Sequence, residues 1–482
     1  MKTIIVGGGI GGMITALYEK QAGHDVEIYE AKPKLGGRLA FHNRGPYKID
    51  EGPTVVLLPQ MINDILKDLN LENRIEMLRI DPLYPLHFPG GETLLKWSDR
   101  KKQAAEIERI FPGESDSFHK YMKDMEQRFE AGKPAFLDRA FLQKSSFFTK
   151  SNISILMKLK AYQSVRKQAK KYFKSIKLQE AFSLQTLYIG GSPLQTSAIY
   201  SLVPFSEHAH GIWYVKGGYG KLAEVIAEAL EERNIKVNTH AFVTEVKTEK
   251  DKATGIVSRN KYIPADRIIL NGEFPFMKDL MPGQQKKTFQ PSSGCLLMFF
   301  GLSDKINTKH VHNFFMGESL DTHMENLFKK NKLDEDPAFY VFNPSLIDDT
   351  LAPQGHGVAY VLVPVPAAEH ITREDYLIYS EKIKKLLIQR TDHNLQDKIV
   401  WEHIRTPHEA KADYLFEGGS FGIAPSLLQS GVFRPQIKPF SYKNVYAVGA
   451  SVHPGGGIPI VMQGAKILSE LLRKEDEQVT IN

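Results

Sequence analysis

The start of the chain alternates between short apolar runs and glycines in a way that predicts a β-turn-α-β unit. Residues 2–6 are apolar and mostly β-branched, which indicates a strand buried on both faces. A glycine-rich turn follows, and residues 13–21 have a helical pattern that ends at Gly23. Residues 25–30 then alternate as a second strand. The unit is about 30 residues long, the size of a dinucleotide-binding module.

Two later segments have the same α/β character. Residues 217–234 place Leu222, Val225, Ile226 and Leu230 on one helical face, and short strands are predicted after them. Near the C-terminus, residues 443–451 read as a strand running into a glycine-rich turn, and a final helix is predicted from about Pro459.

These patterns predict an α/β fold whose first domain is discontinuous. We expect residues 1–75, 210–275 and 440–482 to form a Rossmann-like cofactor-binding domain. Residues 76–209 and 276–439 would then supply an inserted α+β domain for the substrate.

The first glycine turn has the G-x-G-x-x-G spacing of a phosphate-binding loop. Gly7 permits the tight turn, Gly9 lets the backbone approach a pyrophosphate, and Gly12 packs the helix against the strand. The helix that begins around Gly11 directs unpaired N–H groups at the phosphates. Glu30 ends the second strand about 20 residues later, where a carboxylate accepts hydrogen bonds from ribose.

A second glycine pair favours FAD over NAD. Gly36, Gly37 and Arg38 follow the ribose carboxylate directly, and a simple NAD dehydrogenase has no need of such a pair. The glycines allow the backbone to pass close to the cofactor, and Arg38 offers a fork of donors to phosphate or flavin oxygens.

The C-terminal glycines suit the other end of a flavin. Small residues before the last helix let the chain lie flat beneath a planar ring, and the helix N-terminus favours negative charge on the pyrimidine. Pro459 suits a first helical position. The residues assigned to this end are Gly449, Ala450, Gly456, Gly457, Ile458 and Pro459.

Together these motifs resemble the carotenoid (phytoene-type) desaturases among the flavin amine-oxidase-like enzymes. The resemblance rests on V-G-G-G-I-G-G at 6–12, G-G-R at 36–38, D-E-G-P-T at 50–54 and G-A-S-V-H-P-G-G-G-I-P at 449–459. It spans nearly the whole chain and is strongest with the bacterial C30 (4,4'-diapophytoene) branch.

The resemblance implies a non-covalent FAD and a long apolar polyene substrate. It adds Gly52, Pro53, Thr54 and Val243 to the residues expected at the cofactor. The implied activity is desaturation of an acyclic C30 precursor such as 4,4'-diapophytoene, with a quinone or O2 as the final electron acceptor. The branch also contains enzymes that oxidise terminal methyl groups to aldehydes, which leaves that reaction open. An amine oxidase and a non-enzymatic isoprenoid-binding protein are more distant alternatives.

Composition agrees with a globular enzyme and narrows its partners. Of the 482 residues, 42% are hydrophobic and 24% charged, which excludes a disordered chain. Cys295 is the only cysteine, so a disulfide framework is excluded, and no His or Cys pattern predicts a metal. A net charge of +6 over this length does not argue for nucleic acid, and we expect none as a partner.

The basic charge is concentrated in residues 140–179, which contain ten Lys or Arg residues and no acid. Aromatic and aliphatic residues lie between the charges. This pattern predicts contact with an anionic membrane surface, although it also fits a solvated helix face above a core stripe. We expect a peripheral protein on the cytoplasmic side of the cell membrane.

Few polar residues stand in a setting that suggests acid–base catalysis. Asp138 and Arg139 lie within an apolar stretch and are predicted to face the substrate, although such pairs are often structural. His453 lies in the C-terminal glycine motif and could approach the flavin edge. These three residues are the catalytic candidates.

Overall fold

The computed structural model describes residues 1–141, 144–283 and 288–481, without the side chains of 144 and 479–481. Residues 142 and 143 of the basic segment lie outside the described residues. The strands are β1 (Lys2–Val6), β2 (Asp25–Tyr29), β3 (Phe41–Arg44), β4 (Tyr47–Asp50), β5 (Met77–Ile80), β6 (Tyr84–His87), β7 (Thr93–Lys96), β8 (Ile212–Val215), β9 (Lys236–Asn238), β10 (Val243–Glu249), β11 (Lys252–Ser258), β12 (Lys261–Pro264), β13 (Arg267–Asn271), β14 (Gly294–Leu302), β15 (His312–Phe315), β16 (Phe339–Phe342), β17 (Gly357–Val365), β18 (Ile399–Arg405) and β19 (Val445–Val448).

The α-helices lie between or after these strands along the chain. They are α1 (Ile10–Gln21), α2 (Pro59–Asp68), α3 (Arg100–Ile110), α4 (Ser115–Gly132), α5 (Lys144–Phe147), α6 (Lys150–Lys158), α7 (Val165–Ala169), α8 (Ile176–Ala181), α9 (Leu202–His210), α10 (Gly220–Glu232), α11 (Phe274–Asp279), α12 (Leu320–Glu325), α13 (Arg373–Arg390), α14 (Leu395–Lys398), α15 (Pro407–Ala412) and α16 (Ile458–Ile481). Of these, α3 to α9 follow one another between β7 and β8. No helix in the described ranges has an apolar stretch long enough to span a bilayer.

A parallel sheet forms the first layer, with the strand order β19-β13-β1-β2-β9. Its strands are short apolar runs, and β13 and β19 are buried at every residue. α1 packs on β1, β2 and β13 and also contacts α10 and α16, while β11 of another sheet contacts β13. β1 and β2 come from the N-terminal segment, β9 and β13 from the middle and β19 from the C-terminus. All three segments with an α/β pattern therefore contribute strands to one sheet.

A mixed sheet forms the second layer, with the order β18-β14-β17-β16-β15-β6-β7. Its strands come from the two segments between the parts of the parallel sheet. β14 is buried along its whole length because β17 and β18 flank it and side chains cover both its faces. The predicted division into two domains follows these segments and stays a prediction.

Candidate active site

The first glycine turn forms a tight loop that leads into α1. Gly9 is the N-cap of α1, and Gly7 has a φ of +102°, a conformation that glycine adopts without strain. Asn271, at the end of β13, donates from its side-chain amide to the Gly7 carbonyl at 2.9 Å. This bond holds the loop against the carboxyl ends of the parallel strands, the edge at which such sheets bind ligands.

Glu30 closes this loop from the neighbouring strand. Its carboxylate accepts hydrogen bonds from the backbone N–H of Gly8 at 2.6 Å and of Lys32 at 2.8 Å. The side chain is therefore fixed at the tip of the second strand, where a ribose carboxylate is required.

The second glycine pair packs directly on the first loop. The Gly36 N–H donates to the Gly8 carbonyl at 2.9 Å. A Cβ on Gly37 would lie only 3.1 Å from the Gly9 Cα, so the two loops approach as closely as glycine backbones allow. Both pairs thus form one continuous backbone surface.

Arg38 pairs with Glu273, an acidic residue that was not predicted from the sequence. Its guanidinium donates to Glu273, which also accepts from the Ser451 hydroxyl at 2.5 Å. Glu273 follows β13 by two residues, and its position just past the end of a parallel strand could have indicated a role at the site.

Arg434 is a second residue that the sequence did not reveal. Its side chain is buried, donates to the Ala450 carbonyl at 2.5 Å and leaves its Nε without a partner. Burial lowers the pKa of Arg434, while Tyr200 and Glu273 favour its charge. No local pattern marks this residue, because only the fold brings it to the C-terminal glycine motif.

A cavity of about 1350 Å³ joins all these groups. A single small ligand usually occupies 300–1,000 Å³, so this volume suits a large cofactor together with a substrate. The predicted cofactor residues that line it are Gly7, Gly9, Gly11, Glu30, Gly36, Gly37, Arg38, Gly52, Pro53, Thr54, Val243, Gly449, Ala450, Gly456, Gly457, Ile458 and Pro459.

Gly12 is the predicted cofactor residue that does not line the cavity. A Cβ at this position would lie 2.4 Å from the Gly7 carbonyl oxygen, which agrees with the packing role of the third glycine. The remaining donors and glycines form a cradle that fits a dinucleotide, with the N-termini of α1 and α16 both directed at the cavity.

Beyond the cradle the cavity continues as an apolar slot between the mixed sheet and the helical cover. The sheet contributes Leu297, Phe314, Tyr340, Tyr360 and Leu362, and the cover contributes Leu184, Leu187, Tyr188, Leu202 and Val203. Tyr340 connects the two regions, because its hydroxyl lies 2.8 Å from the Thr54 hydroxyl of the cofactor motif.

The three catalytic candidates lie close together but outside the cavity lining. Asp138 accepts from Lys133 at 2.9 Å, and Arg139 donates to Asn152 at 2.7 Å. His453 contacts the Arg139 carbonyl at 3.1 Å through Nε2, and burial lowers its pKa to about 4. Their immediate neighbours Phe136, Leu137 and Pro454 do line the cavity, and a catalytic role for the three candidates stays a prediction.

The part of the chain that the structure describes offers no candidate metal site. There, no three His, Cys, Asp or Glu side chains come together in a group that could hold an ion. Glu30 and Glu273 at the cavity are instead hydrogen-bonded to backbone N–H groups, a hydroxyl and arginine.

The fold and the glycine cradle define a flavin-dependent oxidoreductase. The chain belongs to the family of flavin containing amine oxidoreductases, whose model matches residues 10–467. This confirms the fold class and the flavin expected from the motifs.

Curated relatives narrow the resemblance to one branch. The chain is 46% identical to a 4,4'-diapolycopen-4-al dehydrogenase of Metabacillus indicus, with all of both chains covered. It is 28% identical to a 4,4'-diapophytoene desaturase (4,4'-diaponeurosporene-forming) of Staphylococcus haemolyticus, with 99% of each chain covered. The predicted membership of the C30 carotenoid branch is confirmed.

Solved structures agree on the fold alone. An oxidoreductase from Methanosarcina mazei superposes with a TM-score of 0.65 at 14% identity, covering 98% of this chain and 100% of that one. A putrescine oxidase bound to putrescine also gives a TM-score of 0.65 at 14% identity, covering 98% and 99%.

Proposed function

We propose that the protein is an FAD-dependent enzyme that dehydrogenates an acyclic C30 carotenoid, with the FAD bound non-covalently. The observation that carries the proposal is the single cavity in which a glycine cradle continues into an apolar slot. The slot suits a long hydrocarbon, and the relatives at 46% and 28% identity are named for C30 polyenes.

The first candidate reaction is desaturation of a precursor such as 4,4'-diapophytoene. When bound, the flavin supplies a two-electron acceptor that takes a hydride from carbon. A conjugated substrate stabilises the positive charge that develops on it, and the neighbouring carbon then loses a proton. The side chains of the slot need only hold the polyene in line and exclude water.

The second candidate is oxidation of the terminal group of a diapocarotenoid. The similarity to the 4,4'-diapolycopen-4-al dehydrogenase favours it, because that relative is far more similar to this chain than the desaturase is. Both reactions require the same cradle and slot and differ in which carbon reaches the flavin. Oxidation of a terminal aldehyde to an acid also consumes one water, which supplies the second oxygen atom, so the second candidate needs water to reach that end of the substrate.

Expression in two hosts separates the candidates. One host makes 4,4'-diapophytoene, and the other makes a fully conjugated C30 polyene with an aldehyde end. New double bonds in the first host would establish desaturation, and a carboxylic acid end in the second would establish terminal oxidation. The absence of new products from both, in cells that contain the folded protein, would contradict the proposal and favour an isoprenoid-binding protein or an amine oxidase.

The cofactor is tested on the purified protein. We expect absorbance near 450 nm that disappears on reduction, and release of intact FAD on acid denaturation. Release of FMN would contradict the proposed dinucleotide, and flavin that remains on the precipitated chain would contradict non-covalent binding.

We also propose that the protein docks on an anionic membrane on the cytoplasmic side. Exposed apolar side chains cluster around α6, where Phe148, Ile153, Met157 and Tyr162 are each close to half exposed or more. Leu428, 72% exposed, and Phe433 come from a distant part of the chain, and the rings of Phe433 and Phe148 lie 6.3 Å apart. This apolar surface, bordered by lysines, would let a polyene pass from lipid to the slot.

Some side chains of the basic segment are buried inside the protein and cannot contact a membrane. Arg166 is buried and pairs with Glu180 at 3.2 Å and with Asp321 at 2.7 Å. Phe173 and Leu159 are core residues. The membrane proposal therefore rests on the exposed side chains of residues 140–179 together with Leu428 and Phe433.

Vesicle sedimentation tests the docking surface. The double variant Met157→Ser/Leu428→Ser should lose most of its binding to vesicles of anionic lipid, because both side chains are largely exposed. A matched variant, Ile378→Ser, removes an equally exposed apolar residue from α13 and should bind normally. Equal binding of both variants would contradict the surface assigned.

The final acceptor is proposed to be a quinone or O2. Reoxidation of the reduced protein by a soluble quinone and by dissolved oxygen can be followed by the return of absorbance near 450 nm. Peroxide formation would identify O2 as the acceptor. A much faster return of the absorbance with quinone than with oxygen would identify a quinone as the acceptor.

A further inference from the structure

Several buried polar atoms beside the slot lack hydrogen-bond partners. They are the Gln185 Oε1, the Tyr188 hydroxyl, the Ser206 hydroxyl and the Glu207 Oε1. These residues belong to α9 and to the short 3₁₀ helix at Leu184–Ile189, both of which contribute to the slot wall. Buried polar groups are nearly always paired, so a group of such atoms in one place indicates a missing partner.

The other half of this cluster is firmly hydrogen-bonded. Glu207 is fully buried, and its Oε2 accepts from the Tyr84 hydroxyl at 2.7 Å and from the Gln185 amide at 3.2 Å. The same amide donates to the Ala181 carbonyl at 3.0 Å. The other carboxylate oxygen, Oε1, makes no hydrogen bond of normal geometry, and the Tyr188 hydroxyl is the neighbour of this carboxylate in the cluster.

Tyr188 stands between this carboxylate and the slot. Its ring lines the cavity, and burial together with the Glu207 charge raises the pKa of its hydroxyl well above the usual range. The Tyr188 hydroxyl lies beside both Glu207 and the Tyr84 hydroxyl, but it makes a hydrogen bond of normal geometry with neither. A small rotation of Tyr188 would bring a neutral donor to the slot.

The cluster lies along the slot and away from the cofactor cradle. The Tyr188 ring is 6.0 Å from that of Phe314, and Phe314 is 4.9 Å from Tyr340, whose hydroxyl contacts Thr54 of the cofactor motif. Aromatic rings thus connect the flavin end of the cavity to the cluster. Leu184, Leu187 and Leu202 make the surrounding wall apolar.

We propose that Tyr188 and Ser206, supported by Glu207, bind an oxygen atom on the end group of the polyene that lies away from the flavin. A pure hydrocarbon leaves these donors unpaired in an apolar wall, whereas a carbonyl or hydroxyl oxygen satisfies them. The inference rests on the proposed function and adds a preference for substrates with one oxygenated end, bound so that the other end reaches the flavin. Conversion of that oxygenated end to a carboxylic acid by the natural protein would therefore overturn the inference. A prior oxidation of that end is then the reaction that supplies the substrate.

Equilibrium binding to the purified flavoprotein tests this preference. The two probes are an acyclic C30 polyene with one terminal aldehyde and the C30 hydrocarbon with the same number of conjugated double bonds. We expect the aldehyde to bind roughly three to ten times more tightly, as one neutral hydrogen bond contributes. Its absorption maximum should also move to longer wavelength, because a hydrogen bond at the carbonyl draws charge along the conjugated chain.

The variants Tyr188→Phe and Ser206→Ala remove single hydroxyls. Each should reduce the preference, and Tyr188→Phe should abolish the spectral shift while hydrocarbon binding changes less than twofold. Tyr121→Phe is the matched control, since its buried hydroxyl donates to the Ser201 carbonyl at 3.0 Å and Tyr121 does not line the cavity.

The outcomes separate this inference from the function on which it rests. Equal binding of both probes to the natural protein, or a preference that survives in both variants, would overturn it and leave only bound water as the partner of the cluster. Binding of neither probe would overturn the proposed function and the inference together. If Tyr188→Phe does not fold, Ser206→Ala and the probe comparison on the natural protein decide.

Discussion

Substitution of Gly9 separates the binding of the cofactor from the stability of the fold. Gly9 has a φ of −72° and a ψ of 172°, which any residue adopts. A Cβ there would meet only the Asn271 side-chain amide, at 3.3 Å, and would otherwise enter the cavity. We therefore expect Gly9→Ala to change the free energy of unfolding by less than about 1 kcal/mol.

Gly9→Glu adds a negative charge where the pyrophosphate is proposed to lie. At a separation of about 5 Å and an effective dielectric constant of about 20, repulsion from one phosphate charge is about 3 kcal/mol. The affinity for FAD should fall by roughly a hundredfold or more. The carboxylate is also favourable at a helix N-terminus, so the apoprotein should not lose stability.

The assay is the ratio of flavin absorbance to protein absorbance after dialysis, measured with the thermal unfolding of the apoprotein. Gly7→Ala is the contrasting variant, because its Cβ would lie 1.9 Å from the Asn271 carbonyl oxygen at a φ of +102°. That protein should fail to fold. Gly9→Glu that folds and keeps a full complement of FAD would refute the position assigned to the pyrophosphate.

Three further predictions concern buried groups near the site. Glu273→Gln should lower the free energy of unfolding by about 2 kcal/mol in urea titrations, because Glu273 pairs with Arg38 and accepts from Ser451. Ser451→Ala removes only one hydrogen bond and should lower it by about 1 kcal/mol. Equal effects of the two variants would contradict a role for the Glu273 charge. Burial lowers the pKa of His312 to about 3. Below pH 6.5 the unfolded chain therefore binds a proton at this residue that the native state does not bind, and the free energy of unfolding falls as the pH drops from 6.5 towards 3. Between pH 7 and 5, His312→Gln should therefore lose about 2 kcal/mol less than the natural protein does in denaturant titrations, and parallel losses would refute this. Burial raises the pKa of the Cys295 thiol to about 12, so thiol reagents at pH 8 should label unfolded but not native protein, and rapid labelling of the native protein would show the thiol to be accessible.

Most of the cofactor cradle was predictable because its parts are local. Gly7, Gly9 and Gly12 act through the turn that they form themselves, and Glu30 follows at the end of the next strand. The spacing of these residues along the sequence is therefore enough to predict their positions in the cradle. Gly12 agrees with this reasoning, because the packing role expected of the third glycine is the one that its close contact with the Gly7 carbonyl requires.

The catalytic candidates show what sequence context leaves open. Asp138 and Arg139 are polar within an apolar stretch, and the structure pairs them with Lys133 and Asn152, while their catalytic role stays a prediction. Glu273 and Arg434 do reach the cavity. Sequence context predicts that a side chain is unusual but not which surface it faces.

The strand and helix patterns of the three α/β segments, and the glycine spacings of the cradle, are local features, so the dinucleotide-binding layer could be predicted although its strands pair over long distances in the chain. The surroundings of that layer depend on how distant segments pack. Tyr84, Gln185 and Glu207 meet across more than one hundred residues of chain, and the slot is a space between two layers. A cavity has no residues of its own, so its shape and polarity exist only after the layers have packed.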